Sequence, residues 1–320
     1  MAQGRRGTQM AGTIDVVVVG PGMAGLTASL FAARSGSSTV LVGEVLGGEL
    51  LNVAKIEDFP GFADGVSGYE LLPSLQEQVE RAGASFEMAT ALAIEPEAGA
   101  WLVRTSGGDL RARAVIVSTG EGFAPLGVPG EVELVGKGVS HCATCDGPMV
   151  RGRPAAVVGG GDSGLQEALE LARHATTVLV FERREELEAQ WIYRERIAAL
   201  GSVEVLTGTE VDEIVGDGRV TSVWARHRAT GERRQHRVEA VFVYGGMDPV
   251  APRLPDLARD GGGHLVTDDQ RRTSLPGVFA AGGIRAGFPG QAVVAAGDGA
   301  TAALAARSYL RDGVGWLPEG

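Results

Sequence analysis

Two glycine-rich turns constrain the fold of this chain more than any other feature of its sequence. They read Gly-Pro-Gly-Met-Ala-Gly at residues 20–25 and Gly-Gly-Gly-Asp-Ser-Gly at residues 159–164. An apolar run precedes each turn, a stretch with helical spacing follows it, and a second apolar run comes next. Continuous apolar runs of this length are typical of strands buried on both faces of a parallel sheet. The sequence therefore predicts the same strand–turn–helix–strand unit twice.

Each turn has the spacing of a dinucleotide-binding loop. The first glycine allows the tight turn, the second lets the backbone approach a pyrophosphate, and the third lets helix and strand pack closely. An acidic residue about 20 positions later accepts hydrogen bonds from a ribose hydroxyl, and Glu44 and Glu182 stand at about that spacing. We predict an α/β fold with two Rossmann-like dinucleotide-binding domains, and the glycines that would serve the nucleotides are Gly20, Gly22, Gly25, Gly159, Gly161 and Gly164.

The two cysteines of the chain lie together as Cys142-Ala-Thr-Cys145, and Asp146 follows them. One pair in 320 residues does not make a disulfide framework, which favours a redox-active pair in a reducing compartment. One thiolate of such a pair can attack a disulfide, and the second sulfur then resolves the mixed disulfide. His141 precedes the pair, where an imidazolium would lower a thiol pKa; a surface position is the alternative for this residue.

Composition bounds the domain count and excludes some partners. A chain of 320 residues, of which 44% are hydrophobic, has room for about two domains. Its net charge of −11 argues against nucleic acid and anionic membranes as partners. Residues 16–33 are uncharged, but glycines and a proline interrupt them, so we expect no membrane span and a cytoplasmic location. Residues 1–12 are expected to be a flexible extension, and the histidine spacing predicts no metal site.

Further motifs beyond the two turns occur together in one family. They are Gly47-Gly48-Glu49-Leu50, residues 56–62, Ser118-Thr119-Gly120, residues 139–147, residues 278–282, Gln291-Ala292-Val293 and residues 297–300. With these motifs the chain resembles, over nearly its whole length, the low-molecular-weight thioredoxin reductases, which are flavoproteins of the pyridine-nucleotide disulfide oxidoreductase superfamily. The position of the cysteine motif just before the second turn is that family's own arrangement.

The resemblance implies a domain order that the repeat alone does not give. It implies an FAD-binding domain at residues 13–122 plus 248–320. A NAD(P)H-binding domain at residues 123–247, which carries the Cys142/Cys145 dithiol, would be inserted into it. The two crossings, near 123–128 and 244–249, contain glycines and prolines, as a double hinge would need. Relatives of this kind are commonly homodimers.

The resemblance also assigns roles to single residues. Cys145 would face the flavin, Cys142 would exchange with the substrate, and Asp146 would be the acid–base group. Residues of the FAD site would be Gly20, Gly22, Gly25, Glu44, Gly48, Glu49, Asn52, Thr119, Gly120, Gly282, Gly283, Gln291 and Ala292. Residues of the nicotinamide-nucleotide site would be Gly159, Gly161, Asp162, Ser163, Gly164, Glu182, Arg183 and Arg184.

Several positions depart from the family pattern. NADPH-dependent members have a basic motif, HRRxxxR, where this chain has Glu182-Arg183-Arg184 followed by glutamates to Glu188. A carboxylate at Glu182 would accept bonds from a bare ribose and repel a 2′-phosphate, whereas the two arginines could bind one. NADH and NADPH therefore both stay open, as does use of neither. Gly283 stands where the family has an aspartate that contacts the flavin's ribityl or phosphate portion, and Gly290 replaces an arginine.

Three functions follow from these motifs. The first is a reductase that passes electrons from NAD(P)H through FAD and the dithiol to a thioredoxin-like protein or a small-molecule disulfide. The second is an FAD-dependent dithiol oxidase of a natural-product pathway, with O2 as the acceptor. The third is a ferredoxin-fed disulfide reductase with a vestigial nicotinamide site. The complete second glycine turn favours the first function, and the altered basic motif favours the other two.

Overall fold

The structure is a computed structural model, which describes residues 12–312 of the chain. The predicted extension at residues 1–12 lies outside the described residues except for Gly12, and so do residues 313–320 of the predicted FAD domain. The helices are α1 (Met23–Arg34), α2 (Gly68–Arg81), α3 (Ala143–Asp146), α4 (Asp162–Leu171), α5 (Trp191–Ala198) and α6 (Ala292–Asp312).

Most strands are short, and they fall into four sheets. They are β1 (Ile14–Val19), β2 (Thr39–Val42), β3 (Ser85–Glu87), β4 (Ala91–Glu97), β5 (Ala100–Thr105), β6 (Gly108–Val117), β7 (Glu121–Phe123), β8 (Val139–Ser140), β9 (Pro154–Val158), β10 (Thr177–Phe181), β11 (Val203–Leu206), β12 (Thr209–Gly216), β13 (Val220–His227), β14 (Arg233–Arg237), β15 (Ala240–Val243), β16 (Met247–Pro249) and β17 (Val278–Ala280).

Contacts divide the chain into two compact units. Unit 1 runs to Glu121 and resumes at Pro249, and unit 2 is Gly122–Asp248. The short strands β7 and β16 lie at the two crossings and pair with each other. The middle of the chain is thus inserted into a unit that its two ends build together.

Unit 1 is built on a sheet in which β3, β2, β1, β6 and β17 run parallel to one another. Strand β5 pairs antiparallel with β6, and β4 pairs antiparallel with β5. Strand β1 is buried on both faces because valines occupy four consecutive positions, two on each face. Val16 and Val18 pack with α1 and α6, whereas Val17 and Val19 pack in a second cluster on the other face. Burial of each such side chain contributes about 1.5–3 kcal/mol relative to exposure. This core holds the carboxyl end of β1 in place.

Unit 2 repeats the design with its own core. Strands β11, β10, β9, β15 and β8 form a parallel sheet, and β12, β13 and β14 form an antiparallel one. Val157 of β9 packs with α4 residues, and Ala156 and Val158 pack with residues of β12 and β13. The predicted α/β fold with two Rossmann-like domains is confirmed. In such sheets ligands bind outside the carboxyl ends of the strands, which is where both glycine turns lie.

No helix within residues 12–312 combines the length and the apolar character that a membrane crossing requires.

Candidate active site

The first glycine turn is shaped by two close approaches and one open space. Gly20 has φ +111°, and a side chain on it would overlap the backbone of Ser118. A side chain on Gly25 would overlap the carbonyl oxygen of Gly20, so the third glycine brings helix and strand together. At Gly22, by contrast, no atom of the described residues lies within 4 Å of the place a Cβ would take, and none of their side chains caps the N-terminus of α1. The turn therefore leaves open space at a helix N-terminus, as a pyrophosphate requires.

The loop after β6 lies directly against this turn. The hydroxyl of Ser118 donates hydrogen bonds to the carbonyl oxygens of Val19 and Gly20, at 3.0 Å each. The hydroxyl of Thr119 is buried and has no hydrogen-bond partner among residues 12–312. Buried polar atoms are nearly always paired. An unpaired hydroxyl beside an open glycine turn fits a cofactor that supplies the missing partner, so these residues fit FAD.

The segment Gly48–Asn52 forms a short 3₁₀ helix on the other side of the turn. The N–H of Gly47 donates to the carbonyl of Pro21 at 2.8 Å. A Cβ on Gly48 would lie 3.3 Å from the Cα of Gly22, and Gly48 itself has φ +58°. Glu49 is exposed on this helix. The structure thus brings predicted FAD residues from two separate loops to the first turn.

Residues after β17 complete this edge of unit 1. A Cβ on Gly282 would lie 3.0 Å from the Cβ of Ala24 in the first turn of α1, and the Gly282 N–H donates to Asp298 Oδ2 at 3.1 Å. Gly283 follows it in a short 3₁₀ turn. The carbonyl of Gln291 accepts the N–H of Ala295 at 3.0 Å, and α6 begins at Ala292. These two residues therefore lie at a helix N-terminus, as predicted for the flavin site.

Glu44 lies just beyond β2 and is exposed, and its carboxylate accepts a hydrogen bond from the hydroxyl of Thr90. Its predicted contact with the FAD ribose stays a prediction. Gly120 has φ +74°, with no atom within 4 Å of the place a Cβ would take.

The second glycine turn reproduces the geometry of the first. Gly159 has φ +120°, and a side chain on it would overlap the carbonyl of Tyr244; a side chain on Gly164 would overlap the carbonyl of Gly159. Within residues 12–312, no atom lies within 4 Å of the Cβ position of Gly161, and no side chain caps α4, which it precedes. This open space, at the N-terminus of a second helix, fits a second pyrophosphate.

Two predicted residues of this turn differ in their surroundings. Asp162 is the first residue of α4. Its carboxylate accepts two hydrogen bonds from Gln190, one from the backbone N–H at 2.7 Å and one from the side-chain amide at 2.9 Å. Ser163 is exposed. These bonds connect Gln190, which follows Glu188 in the chain, to the start of α4.

Glu182 is a buried carboxylate fixed beside the second turn. Only 4% of the residue is exposed. Oε2 accepts the N–H of Gly160 at 2.7 Å, and Oε1 accepts the N–H of Arg184 at 2.8 Å. Arg184 pairs with the exposed Glu188, and Arg183 is exposed at the surface. The negative charge at the end of β10 is therefore held in one place, where the spacing predicts an adenosine ribose.

Cys142 and Cys145 form a disulfide, with their Cα atoms 5.4 Å apart. Cys145 is exposed and Cys142 is half-buried. The N–H of Cys145 donates to the sulfur of Cys142 at 3.2 Å. The N–H of Cys142 donates to the hydroxyl of Ser140 at 3.1 Å. A donor aimed at one sulfur stabilises its thiolate over the neutral thiol once the pair is reduced.

Asp146 and His141 flank the pair in different ways. Asp146 Oδ2 accepts the Ser140 hydroxyl at 2.6 Å, so the carboxylate is tied to the residue that also holds the N–H of Cys142. His141 Nδ1 lies 2.9 Å from the carbonyl of Val243, and its ring stacks on Phe123 with centroids 5.3 Å apart. A carbonyl can only accept, so Nδ1 carries a proton. The contacts hold His141 in the body of unit 2, and its predicted catalytic role stays a prediction.

A partly buried carboxylate that no sequence motif pointed to, Glu167, lies against the start of α3 beside the dithiol. Glu167 Oε2 accepts the N–H of Ala143 at 2.6 Å and the hydroxyl of Tyr244 at 3.2 Å. Burial raises the pKa of Glu167, although these hydrogen bonds oppose the shift. Burial and the charge of Glu167 raise the pKa of the Tyr244 phenol. The one sequence signal was the spacing of Glu167, three residues after Gly164 and four before Leu171, which are both buried in α4.

Among residues 12–312, no group of three or more histidine, cysteine or acidic side chains is arranged to hold a metal ion.

Comparison with known proteins identifies the family. Residues 14–299 match the model of the pyridine nucleotide-disulphide oxidoreductase family. The chain is 38% identical to a thioredoxin reductase of Treponema pallidum over 297 residues, which covers 92% of this chain and 97% of that protein. It is 39% identical to a thioredoxin reductase of Mycolicibacterium smegmatis over 301 residues, which covers 93% of this chain and 97% of that protein.

A solved structure agrees with these sequence matches. The crystal structure of Lactococcus lactis thioredoxin reductase superposes with a TM-score of 0.90 at 36% identity, and the match covers 93% of this chain and 99% of that one. Two glycine turns in separate units, a disulfide just before the second turn, and matches of this extent lead to one conclusion. The chain belongs to the pyridine nucleotide-disulphide oxidoreductase family and, within it, to the low-molecular-weight thioredoxin reductases, which are FAD-dependent disulfide oxidoreductases.

Proposed function

We propose that this enzyme takes electrons from NADH in preference to NADPH and delivers them, through FAD and the Cys142/Cys145 pair, to the disulfide of a thioredoxin-like protein. In this proposal unit 1 holds FAD and unit 2 holds the nicotinamide nucleotide. The relatives' names support the acceptor, since both are thioredoxin reductases. The homodimer that the resemblance implies and the cytoplasmic location expected from the sequence stay predictions.

The FAD site is supported by what unit 1 offers at the carboxyl edge of its sheet. Gly22 provides the open approach to a helix N-terminus, where N–H groups and the helix dipole favour a pyrophosphate. The unpaired hydroxyl of Thr119 would gain a partner. The N-terminus of α6, at Gln291 and Ala292, would favour negative charge on the flavin ring. When bound, FAD would accept two electrons from the reduced nicotinamide and pass them to the disulfide.

The cysteine pair carries out the exchange with the substrate. Once the pair is reduced, the Cys142 thiolate attacks one sulfur of the substrate disulfide, so that a mixed disulfide forms and one substrate thiolate leaves. Cys145 then attacks the sulfur of Cys142, which releases the second substrate thiol and restores the Cys142–Cys145 bond. The N–H of Cys145 at 3.2 Å stabilises charge on Cys142. Asp146, held by Ser140, is the group proposed to move the proton.

The preference for NADH rests on one observation, the fixed carboxylate of Glu182. Both of its oxygens accept backbone N–H groups, so it cannot turn away from a bound nucleotide without losing two hydrogen bonds. Each oxygen has a further lone pair, which can accept a ribose hydroxyl. A 2′-phosphate would meet a buried negative charge instead, and like charges at short range are unfavourable. Arg184, which could bind the phosphate, already pairs with Glu188.

The test of donor preference compares kcat/KM for NADH and NADPH in the wild type and in two variants. Glu182→Ala removes the fixed charge, and we expect the NADH-to-NADPH ratio to fall by about tenfold or more, which corresponds to about 1.4 kcal/mol. Glu186→Ala removes an exposed carboxylate of the same segment and serves as the matched control, with an unchanged ratio. A wild type that prefers NADPH, or a ratio that Glu182→Ala leaves unchanged, would refute the assignment. Flavin reduction by a dithiol but by neither nucleotide would support the oxidase function instead.

A further inference from the structure

Glu121 places a second carboxylate at the carboxyl edge of unit 1, and the roles described so far do not use it. Its side chain is 16% exposed. Oε1 lies 3.0 Å from Nε2 of His264. Oε2 lies 2.6 Å from the place where a Cβ on Gly283 would be, so this oxygen occupies the space that a side chain at Gly283 would otherwise fill. The carboxylate and the missing side chain are thus complementary.

The sheet explains why these two residues meet. Strands β6 and β17 are parallel neighbours, with Val117 opposite Ala280. The two strands therefore end side by side at the same edge of the sheet. Thr119 and Glu121 follow the end of β6, and Gly282 and Gly283 follow the end of β17. At that edge Gly282 lies against the first turn of α1, and the Thr119 hydroxyl lacks a partner. Glu121 Oε2 consequently lies among the residues that fit FAD.

A chain of three groups holds the carboxylate in this position. His264 lies between Glu121 and Asp260, with Nδ1 3.4 Å from Asp260 Oδ1. The same Asp260 oxygen accepts the backbone N–H of His264 at 3.0 Å, which fixes the loop that carries the imidazole. Burial raises the pKa of Glu121, although the hydrogen bond from His264 opposes the shift. Oε1 is thus engaged by the imidazole, and Oε2 is directed toward Gly283.

We propose that Glu121, positioned by His264, is an FAD-binding residue whose Oε2 accepts a hydrogen bond from a hydroxyl group of the cofactor beside Gly283. A carboxylate at this place suits a sugar or sugar-alcohol hydroxyl, which donates, and would repel a phosphate. The proposal rests on the FAD site of the proposed function. It also explains how the chain tolerates glycine at position 283, because a neighbouring strand supplies the carboxylate.

The test measures FAD affinity of the apoprotein by quenching of FAD fluorescence, with no turnover involved. Glu121→Ala and Glu121→Gln should each raise the Kd by about 10-fold to 100-fold, the usual effect of losing one hydrogen bond to a charged acceptor. Asp109→Ala, at the opposite end of β6, is the matched control and should leave the Kd unchanged. Gly283→Asp alone should also weaken binding, because its side chain would meet Glu121 Oε2.

The double variant Glu121→Ala with Gly283→Asp gives the sharpest result. The alanine empties the space, the new carboxylate enters it, and the Kd should return to within about threefold of the wild type, a strongly non-additive outcome. His264→Ala should weaken FAD binding in the wild type and have little further effect in Glu121→Ala. Urea unfolding of each apoprotein shows whether a variant is folded.

Three outcomes decide the matter. A wild-type protein that binds no FAD refutes the proposed function itself. A wild type that binds FAD, together with folded Glu121 variants of unchanged affinity, overturns the role of Glu121 and leaves the FAD site intact. Lower stability of the apoprotein with unchanged FAD affinity would make the Glu121–His264 pair purely structural, which also overturns the proposal.

Discussion

Gly22 and Gly161 are the two glycines whose function separates most cleanly from packing. In the part of the chain that the structure describes, no atom lies within 4 Å of the Cβ position of either glycine, and neither has a left-handed φ. An added methyl group would therefore cost the fold little, while it would occupy the space left for a pyrophosphate. The same residue type thus serves packing at Gly25 and Gly164 and access at Gly22 and Gly161.

We predict that Gly22→Ala weakens FAD binding by at least about tenfold and leaves the stability of the apoprotein unchanged, because the methyl group meets only the ligand. Gly161→Ala should likewise raise KM for NADH and leave FAD binding as it is. Fluorescence quenching measures the first effect and steady-state kinetics the second. Gly201→Ala, another open glycine in unit 2, is the control. If the Gly22→Ala apoprotein unfolded at a lower urea concentration than the wild type, Gly22 would be needed for packing of the fold, and the claim that it serves only ligand access would be contradicted.

Glu167 predicts a pH dependence of stability in unit 2. Burial raises its pKa above the unfolded value of about 4.3. Between the two pKa values, the folded protein therefore binds more protons at Glu167 than the unfolded chain does. The contribution of Glu167 to stability is full below about pH 4.3 and is lost as the pH rises through the raised pKa of the folded state. Glu167→Gln keeps an acceptor for the Ala143 N–H and has no charge to bury. We expect the variant to gain stability relative to the wild type as pH rises.

Urea unfolding at intervals from pH 4.5 to 8 measures this difference. Glu186→Gln, an exposed residue of the same unit, should track the wild type at every pH. Parallel curves of stability against pH for the wild type and Glu167→Gln would contradict the raised pKa of this partly buried carboxylate.

At the scale of elements, a buried ion cluster joins α6 to the loops around β17. Asp298 is 1% exposed; its carboxylate accepts hydrogen bonds from Arg271 at 2.7 Å, from Arg285, and from the N–H of Gly282. Arg271 has φ +62°, the single left-handed residue other than glycine among residues 12–312. That conformation costs about 1–2 kcal/mol, so the bonds to Asp298 hold the residue against an unfavourable backbone.

We predict that Asp298→Ala lowers the free energy of unfolding by about 3 kcal/mol or more, because it leaves two partly buried guanidinium groups without their counter-charge. Glu77→Ala, which breaks an exposed ion pair with Arg81 on α2, should change stability little. Thermal or urea unfolding of the apoprotein measures the loss of stability in each of the two variants. Equal small effects from both variants would mean that the cluster does not hold the elements together.

Local sequence patterns predicted the elements well and the contacts between them poorly. The strand–turn–helix units at β1–α1 and β9–α4 follow from runs of valine and from glycine spacing, both of which are local. The pairs Glu121–His264 and Arg271–Asp298 join residues far apart in the chain, and no periodicity connects them. The spacing that predicts a ribose contact for Glu44 gave no sign of the hydrogen bond that its carboxylate accepts from Thr90, which comes from a distant loop. Motif spacing fixes backbone shape, whereas the direction of a side chain depends on tertiary neighbours.

At the scale of the whole molecule, each unit carries one half of the proposed chemistry. Unit 1 has the turn and the loops that fit FAD, and unit 2 has the second turn, Glu182 and the disulfide. In the proposed function both units are needed to reduce a disulfide with NADH, because FAD is assigned to one and the dithiol to the other. The central claim is therefore that electrons pass between the flavin and the Cys142/Cys145 pair.

Anaerobic reductive titration of the purified holoprotein tests this claim most directly, because it counts the electrons that the protein takes up per flavin. A flavin and a disulfide in electronic communication are each two-electron couples, so the wild type should take up about four electrons per flavin, whether the reductant is NADH or dithionite. Cys145→Ser, in which no disulfide can form, should take up about two and keep its FAD. Uptake of about two electrons by the wild type as well would contradict the relay.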